Sequence, residues 1–148
     1  MARIASLEII LMTPHQIHIV QASWAKVVPR ANTIADMFYD RLFELDPSVR
    51  VLFPADMAEQ KKMLLVILTS GVIGLSNLDK LTPTIQDLGK RHHGYGVLET
   101  HYETVGEALL WALKQNLGYA WNDELKEAWS AVYVVLANLM IEAAKKTA

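Results

Sequence analysis

Apolar residues recur at helical spacing along almost the whole chain. Ile17, Val20, Trp24 and Val27 follow one another at intervals of three and four, the stripe of an amphipathic helix. Thr13-Pro14-His15-Gln16 precedes them with an N-cap, a proline at the first helical position and a glutamine closing a capping box. Pro29 should end this helix near its last turn. A second stripe, Ile34, Phe38, Leu42 and Leu45, runs into the stop signal Asp46-Pro47. After a short connection through Val49–Pro54, a helix is predicted from about Met57 to Leu75, with Leu64, Ile67, Leu68 and Val72 inward. Thr82-Pro83 repeats the cap-and-proline start for a short helix that stops at Gly94-Tyr95-Gly96. Thr100 to Glu103 reads as a capping box for a helix burying Tyr102, Val105, Leu109 and Leu113. Asn122 opens a last long helix carrying Leu125, Trp129, Val132, Leu136 and Leu139. No alternating strand pattern of useful length, internal repeat or interdomain linker breaks this series. The expectation is an all-α single domain of about seven unequal helices, unlike a bundle of matched lengths.

The first 13 residues carry an apolar run broken by Glu8, with no uninterrupted core and no small-residue cleavage site. They are expected to be a short extension to a domain spanning residues 14–148. No other window approaches the roughly 20 apolar residues of a membrane span, so a cytoplasmic protein without a membrane partner is expected.

Composition narrows the chemistry. The 148 residues are 52% apolar and 20% charged with net charge −2, a globular balance that argues for no nucleic-acid partner. There is no cysteine, which removes disulfides, thiolate nucleophiles, iron–sulfur clusters and thioether-linked haem. The five histidines are His15, His18, His92, His93 and His101. No His-x-x-x-His or Glu-x-x-His pair occurs, so a zinc or di-iron site on one helix has no support. Taken alone, each histidine reads more readily as a surface or capping residue than as a metal ligand.

Several separated segments go further. They are Met37-Phe38-Tyr39-Asp40-Arg41-Leu42-Phe43, Pro47 with Val51-Leu52-Phe53, Gln60-Lys61-Lys62-Met63-Leu64, and Asn77-Leu78 with Leu81 and Pro83. Asp87-Leu88-Gly89-Lys90-Arg91-His92, Tyr95-Gly96-Val97, His101-Tyr102 with Val105-Gly106, and Ala128-Trp129 with Tyr133 complete the set. In this order and spacing, over about residues 14 to 142, the chain resembles the single-domain bacterial globins related to the globin domain of flavohaemoglobins. The resemblance implies a globin fold, a three-over-three helical sandwich around a non-covalent b-type haem. It places the proximal iron ligand at His92 and leaves His93 an exposed neighbour. It puts the haem-stacking phenylalanine at Phe53, the distal polar pair at Tyr39 and Gln60, and the distal apolar wall at Leu64.

A phenol O–H and an amide N–H can both donate to dioxygen, which becomes partly negative at ferrous haem, and this favours dioxygen over carbon monoxide. Arg91, Lys90 and Tyr95 lie where they could reach a haem propionate. Val97, Val105, Leu109 and Leu136 are expected to face haem. Tyr102 falls on the tyrosine that flavohaemoglobins place near the proximal ligand, where a glutamate of the last helix completes a hydrogen-bonded group. The equivalent position here is Ala144. Glu142 stands two residues early, about 200° around a helix, and should point elsewhere.

The implied function is reversible binding of dioxygen, and of NO and CO, by a monomer or weak homodimer. Two alternatives stand beside it. One is a nitric oxide dioxygenase, with Tyr39, Gln60 and Tyr102 as candidate catalytic residues and a separate reductase as partner; the other is a haem-based gas sensor.

Overall fold

The structure, a computed structural model, describes residues 12–146. Most of the expected N-terminal extension lies outside these residues. Among the described residues there are six α-helices and no strand: α1 (Pro14–Val27), α2 (Ala31–Leu45), α3 (Ala58–Gly74), α4 (Leu78–Gly94), α5 (His101–Leu117) and α6 (Asp123–Lys145).

Most boundaries follow the local signals. Thr13 accepts from the Gln16 amide while the Gln16 side chain accepts from the Thr13 amide, both at 3.0 Å, so the capping box forms. A 3₁₀ turn containing Pro29 ends α1, and Asp46 caps the end of α2. Asn122 accepts from the Leu125 amide at 2.8 Å to start α6.

Helix α4 closes with two backbone bonds of 3.1 Å, Val97 N–H to His92 and Gly96 N–H to His93. This Schellman ending requires a left-handed residue, and Gly96 supplies it at φ +93°.

Three expectations need correction. Helix α4 begins at Leu78, well before Thr82-Pro83, so Pro83 is inside the helix. Leu81 is buried and its side chain packs against Gly74. Helical backbone there places Leu81 in the core, while Thr82 Oγ1 donates to the Leu78 carbonyl at 2.8 Å. Thr100 forms no capping box, because its backbone is already helical (φ −63°, ψ −25°) and its side chain caps nothing. Leu45 is exposed at the end of α2 rather than part of the inner stripe.

Helix α4 packs on α6, α2 on α5 and α1 on α6, with α3 leaning on α2. Trp129 anchors the solid part of the core, edge-on to Trp24 at 6.3 Å between ring centres. Its indole N–H donates to Ser23 at 2.9 Å, so the buried polar edge is satisfied. Helices α3 and α4 taken together, and α6, are long and apolar enough to cross a membrane by length and composition, which the sequence reading did not anticipate. Their apolar faces are explained within the fold: Leu125, Trp129 and Val132 of α6 join the core, while Leu64, Ile67 and Leu68 of α3 are half-buried and line an internal cavity.

Candidate functional site

That cavity has a volume of about 360 Å³ and is walled by side chains from α2 through α6 and the loops between them. It is predominantly apolar with a few polar groups, the usual character of a small-molecule or cofactor site. A more open cleft of about 550 Å³ lies between α2 and α3, spanned by the Lys61–Asp36 ion pair at 2.9 Å. No histidine, tyrosine or other aromatic residue lines the cleft, so the chemistry resides in the smaller cavity.

His92 enters the cavity from the last turn of α4. Its Nδ1 is 2.8 Å from the Leu88 carbonyl oxygen. A carbonyl only accepts, so Nδ1 carries the proton and Nε2 is left with its lone pair. Burial is the main influence on this imidazole and holds its pKa below the ordinary value. The Leu88 hydrogen bond opposes that shift and the Arg91 charge adds to it. A neutral ring with a fixed tautomer and a free Nε2 is what a metal requires of a histidine ligand. Among the described residues no group of three or more His, Cys, Asp or Glu side chains converges. A single imidazole with a bare Nε2 in an apolar chamber therefore suits a metal whose other ligands arrive with a macrocycle.

Tyr39 and Gln60 meet in the same cavity, where the Gln60 amide donates to the Tyr39 oxygen at 3.2 Å. Because Tyr39 accepts there, its own phenol hydrogen remains available as a donor. Burial raises the Tyr39 pKa, with the Gln60 bond acting in the opposite direction, so the phenol stays protonated.

The Tyr39 ring packs edge-on against Phe53 at 5.6 Å, and Phe43 packs on Phe53 at the same distance. The Phe53 loop is held from outside by Arg50. Its guanidinium donates to the carbonyls of Phe53, Pro54 and Ala55 and lies over the Phe43 ring at 5.1 Å. Sequence reasoning missed this clamp, since Arg50 looks like any surface cation in a connecting segment.

Leu64, Tyr102, Val105, Val97, Leu109 and Leu136 all line the cavity. Arg91 and Tyr95 reach it too, although Tyr95 is 67% exposed and Arg91 Nε pairs with Asp87 at 3.3 Å. Lys90 and His93 are exposed on α4 and do not line it. Glu142 is also outside it, paired with Lys145 at 3.4 Å. Tyr133 was not singled out as a site residue. It lines the cavity, packs on Gly106 and donates its hydroxyl to the Tyr102 backbone carbonyl at 2.5 Å. His101 lines the cavity as well, although its position beside Tyr102 marked it only as part of a sequence match.

The family model for globins matches residues 36–140. A flavohemoprotein of Xylella fastidiosa is 33% identical over 133 residues, covering 86% of this chain and 33% of that protein. The chain thus spans about a third of the length of that relative. A neuroglobin of Danio rerio is 28% identical, with 82% of this chain and 86% of that protein covered. Among solved structures, a bacterial globin from Campylobacter jejuni superposes with a TM-score of 0.80 at 26% identity, covering 90% of this chain and 97% of that one. An engineered carbene transferase, made from a candidate nitric oxide dioxygenase of Rhodothermus marinus, gives a TM-score of 0.82 at 27% identity, with 91% and 94% covered.

Proposed function

The chain belongs to the globin family, and on that premise we propose that it holds haem b through His92 and binds dioxygen, NO and CO. The observation that carries this reading is the meeting, in one apolar cavity, of His92 with a bare Nε2 and the Tyr39–Gln60 donor pair. Haem, when bound, supplies the iron at which a diatomic gas is taken up. The protein's own residues do the rest. His92 Nε2 offers the lone pair, and the Leu88 carbonyl holds the ring in the required tautomer. Phe53 and Val97 supply apolar surface, Leu64 restricts water, and Arg91 and Tyr95 stand at the cavity wall. Tyr39 donates from its free phenol hydrogen to a gas that acquires negative charge, and Gln60 keeps that phenol oriented.

Nitric oxide dioxygenation with electrons from a separate reductase is the second reading, supported by the flavohemoprotein relatives. Glu142 weighs against it, since its carboxylate pairs with Lys145 and does not line the cavity beside His92 and Tyr102.

The purified protein, supplemented with haem, should show a strong Soret band that His92→Ala weakens or abolishes. A wild-type protein that remains without a Soret band would end both readings. Turnover of nitric oxide with an added reductase separates the enzyme from the gas binder.

A further inference from the structure

The cavity contains two histidines, and the backbone holds them in opposite tautomers. His92 Nδ1 faces a carbonyl and must donate. His101, at the first position of α5, has its Nδ1 2.9 Å from the Leu98 backbone nitrogen. A backbone N–H only donates, so the His101 Nδ1 must be bare and the ring proton must sit on Nε2. The ring is half-buried and lines the cavity, and Nε2–H is the polar group it has left to offer there. One imidazole is thus prepared to give an electron pair and the other to give a hydrogen bond.

We infer that His101 is a cofactor-binding residue that donates from Nε2 to a carboxylate of the group in the cavity. This rests on the haem reading above, because haem b presents an apolar macrocycle bearing two propionates. The cation at this wall is Arg91, whose Nε is engaged by Asp87 at 3.3 Å. An imidazole N–H there supplies a donor with no competing partner of its own side chain. A hydrogen bond to a carboxylate is stronger than a neutral one, and losing it should be felt as faster release of the cofactor.

Two variants separate this role from that of a helix cap. His101→Asn keeps an acceptor near the place of Nδ1 for the Leu98 amide but removes the donor at Nε2. His101→Gln places an amide N–H near Nε2 and gives up the acceptor at Nδ1. Haem transfer to excess apomyoglobin should be about three- to tenfold faster from His101→Asn than from wild type. It should be nearly unchanged in His101→Gln. The Soret position and the ferrous iron–imidazole stretch should stay put in both, since His92 and Leu88 are untouched.

Haem dimethyl ester, whose carboxylates are blocked, should leave wild type and His101→Asn at equal rates. It should also leave wild type faster than haem does, a measurement that needs no variant to fold. Equal haem loss from His101→Asn and wild type, or faster loss from His101→Gln than from His101→Asn, overturns the inference. So does a difference between wild type and His101→Asn that persists with the ester. A wild-type Soret band alongside any of these outcomes leaves the haem reading standing, whereas its absence ends that reading itself.

Discussion

Gly89 rests directly on the backbone of Met140: a Cβ at that position would stand 2.3 Å from the Met140 carbonyl oxygen and 2.5 Å from its Cα. Helical backbone in the C-terminal part of α6 cannot swing aside as a side-chain tip can. The contact fixes how closely α4 approaches α6, and it lies one helical turn before His92. The same stretch supplies the Leu88 carbonyl that orients the His92 ring. Gly89→Ala should therefore cost about 1–3 kcal/mol of stability through overpacking. Urea unfolding of the two proteins side by side checks this, and a change within about 0.5 kcal/mol, the range of an ordinary surface substitution, would show that the helices yield.

The Tyr39–Gln60 bond at 3.2 Å makes a second prediction. Tyr39→Phe should speed dioxygen release, because it removes the donor and leaves the ring packing on Phe53 in place. Gln60→Leu should also change the release rate, and the two effects should not add. A coupling of about 0.5–1.5 kcal/mol is expected from one hydrogen bond in a shared network. Stopped-flow off-rates of the two single variants and the double variant measure it. An unchanged off-rate in Tyr39→Phe removes this pair from the gas site.

The third prediction concerns alkaline pH. Burial raises the pKa of Tyr39, of Tyr102 to about 12, and of Tyr133, where Tyr102 adds to the effect. Above the ordinary value of 10.0, the unfolded chain releases these protons while the folded chain keeps them. The folded state then binds more protons, so stability must fall as pH rises through this window. For Tyr102 the window runs from 10.0 to about 12. Urea midpoints taken at intervals from pH 8 to 11, with tyrosinate absorbance followed in parallel, should decline above about 10. Tyr102→Phe should make the decline shallower, and an equally steep fall in that variant would place its cause elsewhere.

The sequence by itself determined the helical class, the apolar stripes and those boundaries whose signals close within a few residues. Thr13 with Gln16, Asn122 with Leu125, and the Gly96 ending each satisfy backbone groups of their own helix end, so local chemistry was enough. The same logic failed at Thr82-Pro83 and Thr100. Burial of Leu81 against Gly74 carried α4 back to Leu78, and a turn already formed ahead of Thr100 denied it the extended backbone that a cap needs. Residue resemblance could nominate His92, Tyr39, Gln60 and Phe53, but it could not tell a cavity wall from ordinary core. Only the tertiary structure decided which side chains share one chamber, because Tyr39, Gln60, His92 and Tyr133 come from four helices. It also set the tautomers of His92 and His101, since which ring nitrogen keeps its proton depends on whether a carbonyl or an amide faces it. The closeness of Gly89 to Met140 belongs to the same class: a glycine reveals in sequence what it lacks, and only packing shows what fills the space.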